Sequence, residues 1–346
     1  MNFAQSLKLN VPKLNFLNFG ILGSTIGGVV GAYLLAMLFL TWWWDKEPSQ
    51  FDVLEVAASR AEMNSVEPVI GYTFAHTNRE LAATMLQKRG GFLSNDVFPP
   101  GVWMDNIPAW EFGVLLMVRD TARSLRVDLA RTQSQSNEEP NLAEAEGKFF
   151  YDNSSWIFPA SEDEYKAGIE YLEQYLASIA NPNNPDAQFY PRADNLQRWL
   201  GGVSARLGDI SQRLSESVGK RQRDLATFGE RNPDQSTPAP SERETKTPWT
   251  QIDDVFYEAR GQAWALLHLL KAVEHDFRPV LDDKNALPML QQIIRDLEAT
   301  QETVWSPVIL NGGGFGFLAN HSLVMASYIS RVNAAIIEIQ QLLEQG

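Results

Sequence analysis

The feature that most constrains this chain is an uncharged run near its amino terminus. Residues 19–40 read FGILGSTIGGVVGAYLLAMLFL, without one charged side chain. As a helix this run is about 33 Å long, enough for the hydrocarbon core of a bilayer. Trp42, Trp43 and Trp44 follow directly, then Asp45 and Lys46. Tryptophan prefers the headgroup level, so the three read as one interfacial belt. A buried helix of a soluble fold seldom runs this far without charge. A cleaved signal peptide would have a shorter apolar region and a small-residue cleavage site, and no Ala-x-Ala site is evident here. Residues 19–44 are therefore expected to form a transmembrane helix retained in the mature protein.

The flanks suggest an orientation. Lys8 and Lys13 precede the span with no acid among them, whereas Asp45, Glu47 and Asp52 follow it against Lys46 alone. Positive residues stay inside, so residues 1–18 are expected to be a cytoplasmic tail and the rest of the chain to lie outside. In a Gram-negative bacterium that is the inner membrane and the periplasm. The chain has 43 acidic and 29 basic side chains, a formal charge of −14. All of that excess lies beyond the span, since Lys8 and Lys13 are the only charged side chains before Asp45. It speaks against nucleic acid as a partner and predicts a body that stands off anionic headgroups. Gly23, Gly27 and Gly31 recur every fourth residue. That spacing lets helix backbones approach closely, so α-helical packing against a second copy or another envelope membrane protein is expected, besides contact with the lipid bilayer.

The 346 residues contain no cysteine, which removes disulfides, thiolate metal sites and cysteine nucleophiles together. The histidines are four, His76, His268, His275 and His321, without HExxH or HxH spacing. No metal and no cofactor is expected. His268 and His275 are seven apart on one helix, about 10 Å, too far to share an ion, and read as structural.

Beyond the span the apolar spacing is helical almost throughout. Leu196, Leu200, Val203, Leu207, Ile210 and Leu214 form one stripe. Ile252, Phe256, Ala259, Ala263, Leu266, Leu270, Val273 and Phe277 form another, and Met325, Tyr328, Val332, Ala335, Ile339 and Leu342 a third. Narrow stripes of period near 3.5, two to four heptads long, predict an all-α bundle of long helices. Ser161 with Glu164 reads as a capping box, and Asn106-Ile-Pro108 opens a helix carrying Val114, Val118, Ala122, Leu125 and Leu129. Residues 229–248 hold four prolines and few apolar side chains, and predict a mobile loop. It separates a helical domain, 45–228, from carboxy-terminal helices, 249–346, expected to complete the same bundle.

Three segments are candidates for contact. The loop 90–101 is dense in glycine, proline and aromatic residues and leads to Trp103 and Trp110. Such a loop folds onto the core or exposes a binding surface. Asp96 in it and Asp105 and Asn106 after it can cap helices or bind a hard cation, but no EF-hand spacing is present. Arg119, Arg123 and Arg126 lie on one helical stripe. They read either as a dock for an anion or partner or as an internal salt-bridge ladder, and the acid excess favours the ladder. Residues 311–319, NGGGFGFLA, hold a superficial GxGxxA, but no βαβ pattern surrounds it, so a dinucleotide site is rejected. Phe315 and Phe317 of this loop can touch a partner. No catalytic residue is assigned.

Three phrases, GGFLSNDVFPPGVWMDNIPAWEFGVLLMVRD at 90–120, RTQSQSNEEPNLAEAE at 131–146, and FYPRADNLQRWL with RLGDISQRL within 189–214, resemble the bacterial family known as domain of unknown function 2333. The resemblance implies a single-span envelope protein of Gram-negative bacteria and implies no reaction. The expected function is a non-enzymatic scaffold or adaptor in a cell-envelope complex. The alternative is an enzyme or glycan-binding module acting on peptidoglycan or another wall polymer, using the aromatic loop and the arginine stripe.

Overall fold

The computed structural model describes residues 16–131, 138–184, 187–223, 242–313 and 317–345. Among these, eleven α-helices follow in order: α1 (Phe16–Trp44), α2 (Val53–Met63), α3 (Tyr72–Gln87), α4 (Asn106–Ser124), α5 (Pro140–Phe149), α6 (Ser161–Ile179), α7 (Ala193–Ser215), α8 (Ile252–Asp276), α9 (Arg278–Asp283), α10 (Leu287–Thr300) and α11 (His321–Glu344). The expected all-α class holds, with one addition. Strands β1 (Lys220–Arg223) and β2 (Glu242–Thr245) pair antiparallel. Part of the segment read as a loop, 242–245, is thus a strand, and residues 224–241 lie outside the described residues.

Helix α8 organises the bundle. Its predicted stripe is buried from Ile252 to Phe277. It packs on α4, α10 and α3, while α7 packs on α11 and α5 on α6. The α4–α8 crossing is close because both helices carry glycine there. A Cβ on Gly113 would collide with the Glu258 carbonyl oxygen, and one on Gly261 with that of Trp110. Omitting two side chains lets the backbones touch. Flanking apolar residues Val114, Val118, Trp264 and Leu267 then fill the sides of the contact, each fully or almost fully buried. Burying each such side chain favours folding by about 1.5–3 kcal/mol. One continuous core links α2 through α11.

Local departures from the sequence reading are instructive. Helix α11 buries Met325, Ile329, Val332, Ile336, Ile339 and Leu343. The expected Tyr328, Ala335 and Leu342 are only half-buried, because α11 meets α7, α10 and α8 along a wider face. Ser161 does not cap α6. Its hydroxyl donates to the Asp152 and Ser155 carbonyls, and Glu164 pairs with Lys148 at 2.8 Å. Beyond Ser124 the α4 rod continues as one wide π-helical turn, Leu125–Leu129, which keeps Leu125 and Leu129 in the core.

Gly23–Trp44 of α1 is long and apolar enough to cross a membrane, and its most apolar window is not buried against the bundle. Helix α11 passes the same length and hydropathy test, but its apolar side is a wall of the core. Gly23, Gly27, Gly28 and Gly31 face open space along α1.

Candidate functional site

The arrangement that sets this protein apart is the joint between α1 and the bundle. Trp44, at the end of α1, packs on Leu93, Met104 and Ile107. Gly90 makes room for it. Gly90 has φ +84, a left-handed backbone that favours glycine, and a Cβ there would run into the Trp44 ring. Arg89 lies 4.3 Å from the centre of the Trp43 ring, and Lys46 4.5 Å from that of Trp42. These are cation–π contacts, and they tie the tryptophan belt to charges on both sides.

Past the belt the chain is pinned along α8. Arg260 donates from Nε to Glu47 Oε1 at 2.7 Å. Its Nη1 donates to the carbonyls of Thr300 and Glu302 at 2.9 and 3.0 Å. One buried guanidinium thus joins the segment after α1, the core helix α8 and the end of α10. Farther on, Phe51 stacks on His268 with ring centres 4.0 Å apart. The Phe51 N–H donates to His268 Nε2 at 3.1 Å, and His268 Nδ1 lies 2.7 Å from the Trp264 carbonyl. A carbonyl only accepts, so Nδ1 carries the proton and Nε2 is the acceptor. Burial pushes the His268 pKa down to about 4, so the ring is neutral at pH 7.

The loop supporting Trp44 is held from below by a buried ion pair. Lys88 Nζ is 2.5 Å from Glu111 Oε1, and neither side chain is open to solvent. Glu111 also accepts from the N–H groups of Leu93 and Ser94 at 2.9 Å, and from the Ser94 hydroxyl at 2.6 Å. Burial pushes its carboxyl up, against the pull of Lys88 and these donors. Asn95 extends the hold by donating to the Ser155 carbonyl and to Glu162 at 2.7 and 2.6 Å. These charges are engaged within the fold, so the arrangement holds and orients.

The sequence missed Glu47, Lys88, Glu111 and Arg260. One signal was present. Glu111 falls on the Val114, Val118, Ala122, Leu125 stripe of α4, a carboxylate in an apolar row.

The residues read from sequence scatter. Trp110 is buried against Trp264, with ring centres 5.1 Å apart, so it lines no open cleft. Trp103 is exposed. Arg119 and Arg126 are engaged by groups of the fold, Arg126 at its surface. Arg119 donates to the carbonyls of Phe149 and Tyr151, each at 2.6 Å, and Arg126 pairs with Glu138 and Glu146. Arg123 instead lines a groove of about 500 Å³ between α4 and α7, beside the Asp120–Arg206 and Asp128–Arg198 pairs. Phe317 is fully exposed, and Phe315 lies outside the described residues. His268 is buried and His275 exposed, so they share no site. Asp105 caps α4, accepting from the Asn106 N–H at 2.9 Å. Among the described residues no three His, Asp or Glu side chains are arranged to hold a metal ion.

No curated protein and no solved structure matches this chain. The sequence pattern of the DUF2333 family, described as an uncharacterized protein conserved in bacteria, matches residues 19–346, the anchor candidate and bundle alike, and the chain belongs to that family.

Proposed function

We propose that this protein is a single-span inner-membrane protein whose bundle stands in the periplasm as a non-enzymatic scaffold or adaptor of a cell-envelope complex. The joint carries the reading. A domain tethered by a loose linker would sample many orientations. Here Trp44, Glu47 and Phe51 are each seated within ten residues of the helix end. A bundle fixed in this way presents the same faces at the same height above the bilayer. That suits a partner-presenting platform more than a freely diffusing catalyst. The Gly23, Gly27, Gly31 stripe is left to a partner's helix or a second copy.

The test is crosslinking in intact cells with identification of neighbours, alongside reporter fusions at the two termini. The reading expects defined envelope neighbours and a carboxy terminus outside the cytoplasm. Recovery of the lone monomer would overturn the scaffold, and a cytoplasmic carboxy terminus would overturn the topology.

A further inference from the structure

The exposed aromatic residues of the bundle are not scattered. Of the ten tryptophans, Trp42, Trp43 and Trp44 end α1, Trp110, Trp199 and Trp264 are buried, and Trp103, Trp156, Trp249 and Trp305 are exposed. Those four lie on four different loops, and contacts place all of them at one end of the bundle. Trp103 is in the loop on which Trp44 rests. Asn95 of that loop binds Ser155, next to Trp156. Trp249 immediately precedes α8, whose first turns hold Glu258 against the α4 glycine and Arg260 against Glu47. Trp305 follows Glu302, whose carbonyl Arg260 also holds. The 311–320 loop joins the same end, since Phe256 of α8 meets His321 and Asn311 donates to the Ser217 carbonyl.

The companions of these tryptophans are apolar too. Phe98 is 74% exposed, Phe158 96% and Trp305 92%, with Val97, Val102, Ile157, Val308, Phe317 and Leu318 open beside them. Among the described residues the opposite end, around the α2–α3 and α9–α10 turns and the end of the α4 rod, exposes Met63, Val69, Ile70 and Val127 but no tryptophan or phenylalanine. A soluble surface has no reason to gather its exposed tryptophans on separate loops at one level. The level is that of the α1 belt, where indole rings are favoured on a bilayer.

We propose that these loops form a collar that inserts its aromatic side chains into the interfacial layer of the membrane around α1. The occupant is lipid rather than protein, because the collar is continuous with Trp42–Trp44 and consists of the residue types that layer prefers. Asp45, Asp105 and Asp254 share this end, with mutual repulsion between Asp105 and the other two. Attraction to anionic lipid is therefore not the driving force, and zwitterionic lipid suffices. The bundle sits on the bilayer instead of standing off it, against the expectation drawn from net charge alone. The proposal rests on α1 being membrane-inserted.

The chain has no cysteine, so single-thiol variants are direct to make. The full chain is reconstituted in phosphatidylcholine nanodiscs with a fluorophore at Phe98→Cys, Phe158→Cys or Trp305→Cys. Leu38→Cys reports on the anchor and Met63→Cys on the opposite end. Headgroup and acyl-chain nitroxide lipids are then introduced as quenchers. The collar predicts several-fold quenching at 98, 158 and 305 by headgroup nitroxide, quenching at 38 by acyl-chain nitroxide, and none at 63. Quenching at 38 with 98, 158 and 305 as silent as 63 would overturn the collar and leave the anchor standing. Silence at 38 would overturn the anchor, and the collar with it.

Discussion

The two ends of this bundle are closed in different ways. At the end away from α1, the aromatic side chains are inside. Phe74, Trp199 and Phe277 are buried, with the Phe74 and Trp199 ring centres 5.3 Å apart and edge-on. Phe189 closes on Phe277 at 5.6 Å. At the α1 end, buried charges join a core that still holds Trp110 and Trp264, and further aromatic side chains stand outside. Lys88, Glu111, Glu258 and Arg260 are buried there, while Trp103, Trp156, Trp249 and Trp305 are exposed. The difference teaches that an end whose aromatic side chains stand partly outside needs something else to help close it. Here ion pairs and backbone hydrogen bonds do so.

The strongest way to break this comparison is to truncate one aromatic at each end. Phe277→Ala should cost about 3–5 kcal/mol, the usual loss for a buried aromatic. Trp305→Ala should leave unfolding in detergent within about 0.5 kcal/mol, as for an exposed position. Chemical denaturation measures both. Equal losses would mean that Trp305 belongs to the core rather than to the exposed aromatic surface.

The buried charges give the next test. Glu111→Ala leaves Lys88 charged and unpaired, and should cost about 3–5 kcal/mol. The double variant Lys88→Met with Glu111→Leu should recover much of that, because it removes the isolated charge. A single-variant loss below about 1 kcal/mol would show that the pair is solvated like a surface bridge.

How far the sequence could be read follows the same division. Every stripe residue named for α7 is buried, from Leu196 to Leu214, as are those named for α4 and α8. Apolar periodicity reports which face of a helix leaves water, and for these helices it suffices. It does not say that α8 leaves water on its other faces too. The polar residues there, Glu258, Arg260 and His268, find partners in Arg213, Glu47 and Phe51, from 45 to 217 positions away. No local spacing encodes such partners. The arginine stripe was legible in part, since Arg126 pairs with Glu138 and Glu146 as a ladder would. Arg119 is satisfied by main-chain carbonyls, which every residue carries, so no side-chain pattern could have announced it. The triple tryptophan was legible and Trp103 stood out in its loop, but its company with Trp156, Trp249 and Trp305 was not, because only the fold brings their loops to one end.

A smaller effect is expected at the far end. Asp276 closes α8, and its Oδ2 accepts from the Phe74 N–H at 2.8 Å. One helix end thereby caps the start of another, α3, in the role a local N-cap side chain would fill. Asp276→Ala should cost about 1–2 kcal/mol, the usual loss of an N-cap. The loss should concentrate in α3, as faster amide exchange at Phe74 and Ala75 than in α4. Uniform loss across the bundle would make Asp276 a general core residue instead.

Acidification is the finest test, because His76 at the far end and Asp254 at the α1 end titrate with opposite sign. His76, in the first turns of α3, is pushed down to about 4, first by burial and then by Arg79 and Arg60. The folded chain therefore refuses a proton that the unfolded chain accepts near 6.5. Its contribution to stability is whole above that value and is lost as pH falls toward about 4. Asp254, at the α1 end, is raised to about 6 by burial and by Asp105. It keeps a proton that the unfolded chain releases, so its contribution improves as pH falls through the same range. His76→Phe, which keeps a ring against Tyr72, should make unfolding free energy less sensitive to acid by up to one proton. Asp254→Asn should make it more sensitive. Both slopes come from denaturant titrations between pH 7 and 5, a range within the titration window of these groups. Shifts of the same sign in the two variants would mean that one end, not both, sets the response to acid.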